Sequence, residues 1–236
     1  MPTFTDDLLR SVGCWQNGWK ENQELRLEIG AELELHSSGL DDEFRTVNDT
    51  CYRKRFIHEG ELIPFVIGDL IEGPASWTLD PKFAEEFKGI ERPDAHMGAI
   101  FARKPHPEEV IVNIDALWAN ADFRTAIETY AGKNGPYADA LVNFGNKQRE
   151  VVLQSSILPG DIFALSGRSD SFDVLCEQAG ILDESKKDAV WKALVDSGTF
   201  VGEPKWIDQA GALRVIGNVQ DKFAALIERY RSAAHG

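Results

Sequence analysis

Residues 144–166 read FGNKQREVVLQSSILPGDIFALS. Within them, 149–154 and 161–166 mix β-branched or aromatic residues with polar ones, and Leu158-Pro159-Gly160 separates the two runs as a turn. Two strands joined by a short connection follow from that pattern. At the mouth of the first strand Gln148 and Glu150 stand two residues apart, so both project to one face and Arg149 to the other. They would act as a pair. Taken alone the triplet is weak, because Glu32/Glu34 and Glu59/Glu61 show how readily such spacing arises in a chain of this composition.

The strand signature recurs upstream, over residues 32–36, 51–56, 98–103 and 109–114. Ser76-Trp77-Thr78 reads as a further strand, with Ser76 and Thr78 on one face and Trp77 turned into the core. Asp80-Pro81 is the clearest helix start, since Asp caps free amides and Pro already holds a first-turn φ; Phe83, Ala84 and Phe87 then share one side.

Past Gly167 the period changes. Val190, Trp191, Leu194 and Val195 form one helical stripe, and Val219, Phe223, Leu226, Ile227 and Tyr230 another. Residues 202–217 between them are Gly- and Pro-punctuated and read as loop, with a short strand through 213–216. About six strands with few intervening helices predict an antiparallel α+β fold and exclude a doubly wound sheet. The expected division is a core over residues 1–166 and a helical C-terminal extension over 167–236, packed on that core.

The chain of 236 residues, 43% hydrophobic and 27% charged, has the composition of an ordinary globular protein. Its net charge of −14 opposes non-specific attraction to phosphate backbones. A nucleobase target stays open, because an enzyme acting on a base holds it in a local pocket. The opening MPTFTDDLLRSVG carries acids where a secretory signal carries bases, and no apolar run reaches the roughly 18 residues of a membrane span. The expectation is a soluble, cytoplasmic protein without a membrane partner. Cys14, Cys51 and Cys176 are odd in number and far apart, which suits reduced thiols.

Several common site motifs are missing from the sequence. No G-x-G-x-x-G or G-x-x-x-x-G-K-[ST] occurs, and Gly132-Lys133-Asn134-Gly135 reads as a turn. The five histidines show no H-E-x-x-H spacing, so no metal is expected. The GRSDS of residues 167–171 lacks the second glycine of a nucleophile elbow and reads as a loop.

Three pieces remain, in a fixed order: Tyr52-Arg53 in the run CYRKRF, Ser76 in ASWTLDPKFAEEF, and Gln148/Glu150 in NFGNKQREVVL. Over Tyr52 to about Leu165 this order resembles the Arg-Ser-Glu mono-ADP-ribosyltransferases, the clade of cholera-type and clostridial C3-like toxins, phage transferases and vertebrate ecto-transferases. Lys54 stands where that family commonly has glycine, Trp77-Thr78 where it has Thr-Ser, and Pro74-Ala75 where an aromatic is frequent. The resemblance implies an ADP-ribosyltransferase-like split antiparallel β-sandwich with flanking helices and NAD as substrate, without metal.

It further implies that Glu150 stabilises an oxocarbenium-like ribose, that Ser76 orients Glu150 or the nicotinamide ribose, and that Arg53 anchors the NAD phosphate. Trp77 and Thr78 complete the dinucleotide-binding set. Phe144 and Gln148 would meet a macromolecular acceptor, protein or nucleic acid, with Gln148 disfavouring arginine. The family includes toxins, so a neutralising partner protein is a further expectation. The alternatives are an NAD glycohydrolase and a non-catalytic, partner-binding protein of the same fold.

Overall fold

The computed structural model describes residues 3–20, 22–68, 70–166, 172, 176–177, 179–197 and 205–234. Its strands are β1 (Cys51–Ile57), β2 (Leu70–Thr78), β3 (Met97–Arg103), β4 (Val110–Asn113), β5 (Glu150–Ile157), β6 (Ile162–Ser166) and β7 (Trp206–Ile207). The helices that position the site are α1 (Asp6–Asn17), α2 (Gln23–Ser37), α3 (Leu62–Ile67) and α4 (Pro81–Glu86). Beyond them come α5 (Ile114–Ala119), α6 (Ala121–Gly132), α7 (Ala138–Phe144), α8 (Glu184–Asp196) and α9 (Gln209–Ala234).

The strands build one antiparallel sheet in the order β4-β5-β2-β1-β3-β6-β7. The class is mixed α+β, as the strand pattern predicts. β1 pairs with β3 over all seven of its residues, and β2 with β5 from Leu70 to Thr78, but β1 and β2 pair only through Tyr52 and Thr78. Beyond that point they part, and the gap between them is where the site forms.

Both halves of the sheet still share a core. Ile57, Trp77, Phe101, Leu153 and Leu165 meet Phe65 of α3 and Ala212 and Ile216 of α9 in one cluster. The opposite face of β4 and β5 is covered by α1, α2 and α5–α7, where Val112 and Val152 pack with Trp15, Leu33, Leu117 and Phe123. The C-terminal segment therefore supplies a strand beside β6 and part of the central core.

Two expected strands are helical. Residues 32–36 alternate Glu and Leu, yet they lie in α2, capped by the Asn22 side chain on Leu25 N. There Leu33 is buried while Leu35 is 68% exposed, and Arg26, Ile29 and Leu33 make the buried stripe at helical spacing. Residues 213–216 lie in α9, whose buried Ala212 and Ile216 are four apart. Gly211 sits in the first turn of this helix, where a Cβ would lie 2.4 Å from the Ile207 side chain, so close approach favours glycine there. Helices are also more frequent than expected, since α1 and α2 precede β1 and α5–α7 separate β4 from β5.

The start of α4 follows its sequence signal, with Asp80 Oδ1 accepting from Lys82 N and Phe83 N. The 167–171 loop reading lies outside the described residues. Cys14, Cys51 and Cys176 are free thiols, and burial pushes Cys51 up to about 12. No described helix is long and apolar enough to cross a membrane, and no group of three or more His, Cys, Asp or Glu among the described residues could hold a metal.

Candidate functional site

Arg53, Ser76 and Glu150 come from three different strands and line one cleft of about 1120 Å³. Thr78 pairs with Glu150 across β2 and β5, and Ser76 pairs with Val152, so the strand period puts Ser76, Thr78 and Glu150 on the same face. The Ser76 hydroxyl donates to Glu150 Oε1 at 2.5 Å, the short range of a hydroxyl on a carboxylate. Arg53 Nη1 donates to the Ser76 carbonyl at 2.7 Å, which fixes the backbone that carries the serine.

Glu150 is 5% exposed, and the groups that bond it are neutral. Trp15 Nε1 of α1 lies 3.0 Å from Oε1, and Gln16 Nε2 3.4 Å from Oε2. Burial raises the Glu150 carboxyl above the ordinary range, and the hydrogen bonds from Ser76, Trp15 and Gln16 oppose that rise.

Thr78 Oγ1 donates to the Gln148 carbonyl at 2.6 Å and accepts from Asp80 N at 3.0 Å, tying the loop before β5 to the cap of α4. Gln148 lines the cleft, but not by strand alternation. β5 begins at Glu150, and Arg149 has φ +44°, so the chain turns through a left-handed residue between the two. Arg149 leaves the cleft to meet Asp115 at 3.4 Å.

Phe144 closes α7, and at 38% exposure it also lines the cleft. Trp77 reaches the cleft from the core side and is 2% exposed.

Behind Arg53 lies a charged cluster that the motifs do not contain. Glu72 falls where the β2 register shifts, between Ile71 and Gly73, and Gly73 has φ +73°. The bulge re-aims the Glu72 side chain out of the ladder and into the gap between β1 and β2. There it meets Arg53, Arg55 and, from α2, Arg26 at 3.0 Å. Burial works to raise this carboxyl, but the three guanidiniums win and hold it down at about 2. Arg55 also pairs with Glu61.

Both Nη atoms of Arg53 are thus engaged by protein, and its buried Nε has no hydrogen-bond partner among the described residues. The cleft lining holds seven Lys or Arg residues against three Glu, a cationic concentration within a chain of net charge −14.

Lys54 donates to the carbonyls of Glu85 and Gly89 and lies 4.8 Å from the Trp206 ring. Burial lowers it to about 8. It braces α4 and β7 against β1.

Sequence reasoning misses Trp15, Gln16, Arg26, Arg55 and Glu72. The spacing of Leu8, Val12 and Trp15 signals only a buried helix stripe, which marks a core tryptophan as well as a functional one. Comparison with protein-family models, with curated proteins and with solved structures finds no match for this chain.

Proposed function

We propose that the chain is a mono-ADP-ribosyltransferase that cleaves NAD and transfers ADP-ribose to a macromolecular acceptor. The observation that carries the reading is the meeting of Arg53, Ser76 and Glu150 in one cleft, with a direct Ser76–Glu150 hydrogen bond across 74 residues of sequence. The fit to NAD rests on the local cationic excess and on a volume at the upper end of small-molecule sites. A split β-sandwich of the ADP-ribosyltransferase type is consistent with a sheet nearly divided between β1 and β2.

In this reading the bond between the nicotinamide nitrogen and the ribose C1 breaks, and its electron pair leaves with nicotinamide. Positive charge grows on C1 and the ring oxygen, as in glycoside cleavage. Glu150 accepts a hydrogen bond from a ribose hydroxyl and stabilises that charge at short range. The acceptor then attacks C1 and loses a proton. Arg53, with Arg26 and Arg55 around Glu72, supplies the field that holds the diphosphate. Gln148 and Phe144, which line the same cleft, would meet the acceptor.

The test is incubation with NAD labelled in its ADP-ribose part and whole-cell lysate, followed by separate protease and nuclease digestion, with Glu150→Gln as control. Transfer gives a labelled macromolecule sensitive to one digestion. Free ADP-ribose as the sole product makes the chain a glycohydrolase. NAD binding without nicotinamide release makes it a non-catalytic protein and sinks the proposal.

A further inference from the structure

Trp15 lies outside the Arg-Ser-Glu set, yet it makes the longest-range contact to the Glu150 carboxylate, across 135 residues of sequence. Its indole N–H is a donor with no acceptor capacity. It stands 3.0 Å from Glu150 Oε1 and 3.1 Å from Ser76 Oγ, while Ser76 Oγ donates to the same Oε1. With the indole facing its oxygen, the Ser76 hydroxyl directs its proton to the carboxylate. Oε1 is therefore held by two donors, and Oε2 only by Gln16 at 3.4 Å, a weak hydrogen bond.

The indole is itself fixed. Trp15 is 1% exposed, packs on Trp19 with ring centroids 5.0 Å apart, and sits beside Gly30 of α2, where an added Cβ would lie 3.5 Å from its ring.

We propose that Trp15 is a positioning residue for Glu150: with the Ser76 hydroxyl, its N–H locks Oε1 and leaves Oε2 as the oxygen that receives a ribose hydroxyl of NAD. This rests on the transferase reading for its chemistry, though not for its geometry. The groups facing the carboxylate are Trp15 and Gln16 from α1 and Ser76 from β2, all uncharged, and Arg53 of β1 reaches the Ser76 carbonyl rather than the carboxylate. Removing the indole N–H takes away one of the bonds that oppose the effect of burial, so the carboxyl rises further.

Two variants test this: Trp15→Phe, and incorporation at position 15 of benzothienylalanine, which keeps the bicyclic shape and replaces N–H by sulfur. Glu150 titration is followed by carboxyl carbon-13 NMR, with Glu150→Gln identifying the resonance. Nicotinamide release is measured against NAD concentration and pH.

Both variants should titrate Glu150 at higher pH and move the acid limb of the kcat profile with it. They should lower kcat by about 10- to 100-fold and leave KM for NAD within about threefold. Unchanged titration, or unchanged kcat, in the shape-preserving variant overturns the proposal. So does a defect confined to Trp15→Phe, which is then a packing effect. If wild-type protein releases no nicotinamide, the transferase reading fails by itself. The titration then decides whether Trp15 holds Glu150.

Discussion

Glu72 and Glu150 are buried alike, at 4% and 5% exposure, but their surroundings drive them in opposite directions. Glu72 stands among three guanidiniums and is held at about 2, whereas Glu150 has only neutral donors and is raised by burial. The first is a carboxylate neutralised by charge, and its ionised form stabilises the fold. In the second, burial works against ionisation. In the transferase reading, carboxyl groups pushed apart in this way separate a structural role from a reactive one. Arg53 links the two, bonding Glu72 with one Nη and the Ser76 carbonyl with the other.

The largest effect should come from Glu72→Gln, which leaves Arg26, Arg53 and Arg55 facing a neutral group in a buried site. A loss of about 3–5 kcal/mol is expected, read by urea unfolding. A loss below about 1 kcal/mol would show that the cluster is no more than a solvated surface network. The wild type should show the same dependence through pH. Because Glu72 is depressed in the folded state, its contribution is complete above the unfolded carboxylate pKa of about 4.3, and it is lost as pH falls toward about 2. Melting curves across that window should lose their slope in Glu72→Gln.

Next in size is Glu150→Gln, expected to lower nicotinamide release by about 10²- to 10³-fold. Its stability effect has the opposite sign. A raised carboxyl contributes stability that is present below its unfolded pKa and lost as pH rises through the folded value, so the neutral amide should melt higher than wild type at pH 7 and match it in acid. An unaltered melting temperature at neutral pH would remove the contrast with Glu72.

Gly30→Ala acts on both sites together. The new Cβ would lie 2.6 Å from Pro74 of β2, forcing α2, and Arg26 with it, away from the sheet. A cost of about 1–3 kcal/mol is expected in urea unfolding. NAD affinity should fall with it, and an affinity equal to wild type would separate α2 from the cleft.

The smallest effect should be that of Thr78→Val. It breaks the bond to the Gln148 carbonyl and the acceptor for Asp80 N, for about 1 kcal/mol. Because the Thr78 hydroxyl bonds the Gln148 carbonyl in the turn before β5 and not the Glu150 carboxylate, transfer to the acceptor should suffer more than NAD cleavage. Equal losses in both would place Gln148 in the bond-breaking step.

Much of the sheet was legible because alternation and turn residues are local. The runs 51–56, 98–103, 109–114 and 161–166 match β1, β3, β4 and β6 within a residue or two at each end. Asp80-Pro81 was legible because capping is a property of adjacent residues. Residues 32–36 misled because Glu-Leu-Glu-Leu alternates while only Leu33 packs, and burial there follows the helical stripe from Arg26. Gln148 does reach the cleft that Glu150 lines, but through one left-handed residue, Arg149, that interrupts the strand period.

From its residues alone, the chain specifies an antiparallel α+β fold and the order in which an arginine, a serine and a glutamate occur along it, since these depend on local period and on sequence position. Tertiary structure alone decides which polar groups enclose each carboxylate. Trp15 reaches Glu150 only when α1 packs on β5, and Glu72 meets its arginines only because a bulge in β2 turns it into the gap beside β1. Hydrogen bonds and charges act over a few ångströms of space, and no local pattern records which distant elements come that close.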